Sequence, residues 1–128
     1  MTAKIIKRFY LRINSSTKNI KMDIVCSTDS KYIMPTGIML TSLFESNRGE
    51  VVNVHLLHDQ DSAALLDSIR TIAARYQQNI HFYLINDDIF KHFPIGLDFQ
   101  VNHVGTSFAT YYRLYLTEIL PADIDKVI

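Results

Sequence analysis

The sequence is short of the residues that staple, break or steer a chain. One cysteine, Cys26, among 128 residues rules out an internal disulfide and any cysteine-rich zinc site, and fits a reducing, cytoplasmic setting. Four glycines and three prolines are too few for a low-complexity or collagen-like chain. Net charge is missing as well, because thirteen Lys and Arg balance thirteen Asp and Glu. A neutral chain exerts no general pull on nucleic acid, which argues against a DNA-binding module. No apolar stretch reaches the roughly 18 residues needed to span a membrane, and no apolar run of about 7–15 residues follows the basic N-terminus as a secretory signal requires. What is present is 48% hydrophobic and 20% charged residues, the profile of a single folded domain with a real core. For an α/β enzyme with a complete active site this length is unusually small.

The balanced charge is unevenly placed. Residues 1–21 carry Lys4, Lys7, Arg8, Arg12, Lys18 and Lys21 and no acid. The remaining residues hold all thirteen acids against seven bases, so the two parts stand at +6 and −6. The plain reading is a solvated basic leader, residues 1–21, ahead of a domain at 22–128. The sharper one is weak attraction to anionic lipid head groups, a peripheral contact with the inner face of a membrane.

From Met22 the pattern becomes regular. Met22-Asp23-Ile24-Val25-Cys26 reads as a buried strand, and the polar Ser27-Thr28-Asp29-Ser30-Lys31 as the loop after it. Met34, Ile38, Leu40, Leu43 and Phe44 recur by three or four and predict a helix from about 34 to 46. Pro35 suits its first turn, where a missing N–H has no partner to lose, and Asn47-Arg48-Gly49 stops it. A second strand is predicted at 51–57. Asp61 or Ser62 can then cap a helix whose stripe is Leu65, Leu66, Ile69, Ile72, Ala73 and Tyr76. A third strand follows at 79–85, with Ile80, Phe82 and Leu84 on one side. Two crossover helices in succession imply an α/β fold, a parallel sheet with helices on both faces and right-handed connections. Beyond it, Asp87 or Asp88 is expected to cap a short turn, an aromatic helix to run from Ser107 to about Leu116, and a strand to begin at Asp125-Lys126-Val127-Ile128.

In open α/β sheets ligands bind beyond the carboxyl ends of the strands. The first loop there, Ser27 to Tyr32, has hydroxyls, a carboxylate, an amine and an aromatic ring, but neither glycine-rich phosphate motif. Asp29 can accept the imide N–H of a uracil on which Tyr32 stacks, or it can simply cap the following turn. Both readings stand at this stage. Of the five histidines, His55 and His58 lie three apart on a predicted strand and point to opposite faces, so they do not form a metal pair. Asp123-Ile124-Asp125 has the spacing of a metal-binding carboxylate pair, but it precedes the last strand and reads as a solvated turn. Arg113, a cation among Phe108, Tyr111, Tyr112 and Tyr115, calls for a carboxylate or a polar ligand. Cys26 reads as an inert core thiol.

Met22 to Tyr32 resembles the opening strand and loop of glycosyltransferase family 8, retaining galactosyl- and glucosyltransferases related to glycogenin. Val54-His55-Leu56-Leu57, Ile80-His81-Phe82 and Thr110-Tyr111-Tyr112-Arg113-Leu114 agree in order, and Asp125-Lys126-Val127-Ile128 resembles the segment that precedes the family's metal motif. The resemblance implies the N-terminal half of a GT-A fold that binds a UDP-sugar and requires Mn²⁺ or Mg²⁺. It implies that Asp29 bonds the base, Tyr32 stacks on it, and Ser27, Thr28 and Lys31 line the nucleotide pocket. Lys31 stands where the family often has Asn. His103 and Val104 match a segment beside the nucleotide, and Arg113 matches the arginine that contacts the donor sugar. The metal carboxylates and the catalytic, acceptor-side residues would follow Ile128, so no metal ligand and no catalytic residue is expected within the chain.

The function expected is hexose transfer, of galactose or glucose, from a UDP-sugar to an acceptor hydroxyl of a carbohydrate or glycolipid, with retention. The setting would be bacterial lipopolysaccharide or surface polysaccharide synthesis in the cytoplasm. This chain would be the donor-binding half and inactive alone. The alternatives are a non-catalytic nucleotide-binding or interaction module and an unrelated flavodoxin-like domain. A parallel sheet cut after its fourth strand also exposes edges, which predicts self-association.

Overall fold

The computed structural model describes residues 21–59, 63–93 and 108–128. Strand β1 (Lys21–Thr28), helix α1 (Ile33–Ser46), strand β2 (Val51–His58), helix α2 (Ala63–Arg75) and strand β3 (Asn79–Leu84) follow in the expected order. Lys21 belongs to β1, so the strand opens one residue before the expected boundary. The caps proposed at Asp61 and Ser62 lie outside the described residues.

The three strands are parallel in the order β1-β2-β3, with Ile24 opposite Val54 and Val54 opposite Ile80. This register sorts the side chains. Met22, Ile24, Cys26, Val52, Val54, Leu56, Ile80 and Phe82 share one face with Ile33, Leu40 and Phe44 of α1 and Ile69 and Ala73 of α2. Both crossover helices therefore lie on the same face, as right-handed connections between sequential neighbours require. Burying each of the larger side chains there contributes up to about 1.5–3 kcal/mol. Burial also pushes the Cys26 thiol up to about 11, consistent with an inert core residue. Leu84, expected to face inward with Ile80 and Phe82, is 61% exposed, because it ends the edge strand.

The helical cover of the second face comes from later in the chain. The predicted continuous helix from 107 to 116 is instead two 3-10 turns, Phe108–Thr110 and Tyr112–Tyr115, leading into the short α3 (Leu116–Ile119). Its aromatic residues are indifferent helix formers. The 3-10 geometry lets residues three apart eclipse, and Phe108, Tyr111, Tyr112 and Tyr115 all surround the ring of Phe90. This cluster packs on Leu57, Val25 and Tyr83.

The rest of the second face is polar. Asp23 Oδ1 accepts from Asn53 Nδ2 at 3.1 Å and lies 3.2 Å from His55 Nε2. Asn79 Nδ2 donates to Asn53 Oδ1 at 2.8 Å, and His55 Nδ1 meets the Tyr83 hydroxyl at 3.0 Å. A carboxylate only accepts, so the imidazole donates from Nε2. Burial acts to raise the pKa of Asp23, yet the bonds from His55 and Asn53 and the charge of Lys21 outweigh it and hold the carboxyl below its ordinary range.

Ile128 donates its N–H to the Asp23 carbonyl at 3.0 Å and accepts from Val25 N–H at 2.9 Å. This is the bonding of a parallel neighbour on the free edge of β1, in keeping with the strand predicted from Asp125. β1 thus has β2 on one side and the start of a parallel pairing on the other. In a doubly wound sheet that junction is the switch point at which ligands bind.

Helix α2 ends on a strained residue. Gln77 has φ 56°, while Gln78 N–H bonds the Ala73 carbonyl at 2.9 Å and Gln77 N–H the Ala74 carbonyl at 3.1 Å, the Schellman pattern in which glycine is usual. A side chain in this left-handed conformation costs about 1–2 kcal/mol, partly offset by the greater unfolded-state entropy of glycine. Gln77→Gly is expected to raise stability by about 0.5–1 kcal/mol, read as a higher urea midpoint at unchanged slope.

Candidate functional site

The site is built from the three carboxyl ends of the parallel strands. After β1 the chain turns sharply, and the turn is held by Asp29. Its Oδ1 accepts from Lys31 N–H at 2.9 Å and Tyr32 N–H at 3.1 Å, and its carbonyl also receives the Tyr32 N–H at 3.1 Å. Asp29 is 6% exposed. The capping reading of this residue is therefore realised, through one carboxylate oxygen. Tyr32, the residue before α1, makes no side-chain cap bond and leaves half its surface exposed.

Thr36 of α1 bonds the Tyr32 carbonyl at 2.8 Å, and its hydroxyl lies 2.9 Å from that of Thr28. Thr28 is buried. Its hydroxyl is spent within the loop, so Thr28 shapes the pocket rather than presenting a group to it. Ser27 and Lys31 are exposed beside it. The loop thus pairs a buried, committed carboxylate with an available aromatic face and amine.

Two further carboxylates reach the same end. Asp59 follows β2 as Asp29 follows β1, because Thr28 and His58 are register partners. Asp59 Oδ1 is buried without a hydrogen-bond partner among the described residues. Burial, together with the charges of Asp87 and Asp29, raises its pKa above the ordinary carboxylate range. Asp87 opens the 3-10 turn Asp87–Phe90 after β3. The sequence suggested Asp87 or Asp88 as the cap of this turn, but the cap is Asn86, whose Oδ1 accepts from Asp88 N–H at 2.9 Å. Asp87 is engaged elsewhere. Its Oδ1 accepts from the hydroxyl of the fully buried Tyr112 at 2.5 Å. Burial, the bond to Asp87 and the nearby charges of Asp59 and Asp29 raise the Tyr112 pKa far above that of a free phenol.

Of the residues expected at the site, Ser27 and Thr28 are the last residues of β1 rather than loop, because their pairing with Leu57 and His58 of β2 continues the strand, and Asp29, Lys31 and Tyr32 follow in the turn at this end. Arg113 is the residue after Tyr112. It is exposed, and no ion pair is found for it among the described residues. His103 and Val104 lie outside the described residues. Sequence reasoning missed Asp59, the role of Asp87, and Tyr112. The signal for Asp59 was available, since parallel strands deliver the residue after each strand to the same rim. The Tyr112–Asp87 bond had no such signal, being made between segments 25 residues apart.

Asp123 and Asp125 are exposed, in the turn closed by Ile124 N–H on the Pro121 carbonyl at 3.1 Å. Among the described residues no group of three His, Cys, Asp or Glu side chains converges closely enough to hold a metal ion. His55 belongs to the polar row of the sheet, and His58 meets the edge of the Phe82 ring on the opposite face. No described helix is long and apolar enough to cross a membrane.

Asp59 gives a pH test with a definite sign. A carboxyl whose pKa is raised on folding favours the folded state below its unfolded pKa, and that contribution is lost as pH rises through the folded value. Asp59→Asn is therefore expected to raise the unfolding midpoint at pH 7, with the gain shrinking toward pH 4. Thermal denaturation across that range checks it, and a gain independent of pH counts against the electrostatic cause.

The model of glycosyl transferase family 8 matches residues 23–128. A lipopolysaccharide glucosyltransferase, WaaO of Escherichia coli (strain K12), is 30% identical over 81 residues, which are 61% of this chain and 23% of that protein. The crystal structure of the galactosyltransferase LgtC in complex with donor and acceptor sugar analogs superimposes with a TM-score of 0.63 at 28% identity, covering 83% of this chain and 36% of that one. The likeness to LgtC agrees with the GT-A architecture expected from the sequence. The chain spans about a quarter to a third of the length of these relatives.

Proposed function

The chain belongs to glycosyltransferase family 8, and on that premise we propose that it is the donor-binding part of an enzyme that moves a hexose from a UDP-sugar to an acceptor hydroxyl. The observation that carries this reading is the Asp29–Tyr32 turn at the carboxyl end of β1. One Asp29 oxygen fixes the turn, which leaves the other as an acceptor for the imide N–H of uracil. The half-exposed Tyr32 ring offers a stacking face for the base, and Lys31 is a flanking cation. Arg113, exposed and without an ion pair among the described residues, is the group assigned to the transferred sugar.

In the reaction the bond from the anomeric carbon to the UDP oxygen breaks and a bond to the acceptor oxygen forms on the same face of the sugar. The departing UDP oxygen takes the bonding pair, and the acceptor hydroxyl gives up its proton as its oxygen joins the anomeric carbon. The described residues contribute binding and orientation of the donor. They do not supply a donor set for the divalent cation associated with the family, since Asp29, Asp59 and Asp87 do not converge on one point, and no step is assigned to such an ion. The acceptor is read as a carbohydrate or glycolipid of bacterial lipopolysaccharide or surface polysaccharide, on the strength of the glucosyltransferase relative. A cytoplasmic location goes with a UDP-sugar donor. The basic leader supports a peripheral contact with anionic lipid at the inner face of the membrane.

The two site residues are expected to fail differently. Asp29→Ala should raise the donor KM about tenfold or more, and Arg113→Ala should chiefly lower kcat. Steady-state transfer assays with UDP-glucose and UDP-galactose, on the enzyme as its gene encodes it, separate the two. Equal and negligible effects of both substitutions would remove the pocket assignment. Calorimetry with UDP gives a second check, as Asp29→Ala should weaken binding in the absence of any acceptor.

A further inference from the structure

We propose that Asp87 and Tyr112 are a positioning pair, holding Arg113 at the rim of the crevice through the hydrogen bond from the Tyr112 hydroxyl to Asp87 Oδ1. The inference rests on the reading of Arg113 as the residue that contacts the transferred sugar.

The argument starts from a hydroxyl that packing does not need. Tyr112 sits among Phe90, Phe93, Phe108, Tyr111 and Tyr115, where Phe90 and Phe93 fill their places with no polar atom. A fully buried hydroxyl is costly unless it is bonded. That of Tyr112 is bonded to a carboxylate at 2.5 Å, within the range of a strong charge-assisted bond. The acceptor lies just beyond the end of β3, in a turn capped by Asn86. The donor lies in a run of 3-10 turns, whose described backbone bonds, such as Tyr111 N–H to the Phe108 carbonyl at 2.8 Å and Leu114 N–H to the Tyr111 carbonyl at 2.9 Å, are local. Packing on Leu57, Val25 and Tyr83 seats this run against the sheet, but apolar contact sets no direction. The Tyr112–Asp87 bond supplies a directional tie to the strand ends, and the next residue is Arg113.

The position also relates the two halves of the site. Asp87 follows β3 at the strand ends as Asp29 follows β1, so its bond ties the phenol to the same rim as the Asp29 turn. A shift of Tyr112 would move Arg113 relative to Asp29 while leaving the Asp29 turn, which has its own bonds, in place. Reaction rates are sensitive to displacements of about 1 Å in such groups.

The test uses Tyr112→Phe and Asp87→Ala in the enzyme as its gene encodes it, each alone and combined with Arg113→Ala. UDP-hexose turnover, UDP affinity and thermal midpoint are measured for each. Either single substitution is expected to lower kcat about tenfold while changing the Kd for UDP less than about twofold. Asp87→Asn, which keeps an acceptor oxygen, should recover most of the loss. With Arg113 already replaced, neither substitution should lower kcat further. If Tyr112→Phe keeps full activity while Arg113→Ala is impaired, the positioning role is overturned and the reading of Arg113 survives. A further tenfold fall in the Arg113→Ala background also overturns it, because the pair would then act through packing. Full activity of Arg113→Ala removes the sugar-contact reading itself and the positioning role with it.

Discussion

The parallel register of the three strands is the constraint on which the rest of the molecule depends. Thr28 stands opposite His58, and His58 opposite Leu84, so the chain leaves all three strands along one line. Everything that follows a strand is delivered to the same rim: the Asp29 turn, Asp59 and the Asp87 turn. The period of two along each strand does the second half of the sorting. Alternate residues go to the α1 and α2 face, where stability is gathered, and the others to a face that is partly apolar and partly a hydrogen-bonded polar row. An antiparallel sheet of the same residues would scatter the three carboxylates between its two ends.

Gathering carboxylates has a cost that the structure shows. Asp59 bears it, with a buried Oδ1 that no donor among the described residues bonds and a pKa raised by burial and by Asp87 and Asp29. Asp29 and Asp87 have short hydrogen bonds to one carboxylate oxygen each. Asp29 takes two backbone N–H groups of its turn, and Asp87 takes the Tyr112 hydroxyl. The three aspartates are thus alike in position and different in partner. That difference separates a turn-former, an anchor and a carboxylate whose burial and like-charged neighbours outweigh the backbone bonds from Asp59 and Ser30. Sites that bind ligands commonly retain such unfavourable electrostatics.

How much of this was legible in the sequence depended on the range over which each signal acts. The runs at 22–26, 51–57 and 79–85 were readable as strands, and the stripes of α1 and α2 as helices, because those patterns lie within a few residues of one another. The turn at Asp29–Tyr32 followed from the strand before it. The segment from 108 to 116 was misread as a continuous helix, since aromatics spaced by three and four fit a 3-10 turn as well as an α-helix. Asn86 was passed over in favour of Asp87 because both can cap, and what decided between them was Tyr112, far away in sequence. The row Asp23, Asn53, His55 and Tyr83 was invisible for the same reason. Each of its bonds spans more than 20 residues and exists only once the register is known. Handedness, too, mattered more than the count of helices: two right-handed crossovers between sequential neighbours fill one face, and the other face must be covered by something else.

That second face shows why directional bonds appear where they do. The α1 and α2 face is closed by area, with Leu40, Phe44, Val52, Val54 and Leu56 fully buried, and an apolar contact of that kind tolerates small displacements. Among the described residues the opposite face is covered by short turns and the small α3, which offer less apolar area. A hydrogen bond to a fixed carboxylate compensates in geometry for what is missing in area, because it weakens steeply when its donor moves. His55 between Asp23 and Tyr83, and Tyr112 on Asp87, are two instances on the same side of the sheet. The turns that carry Asp87 and Tyr112 are therefore on the face secured by a few precise contacts, while the face of α1 and α2 is held by apolar area.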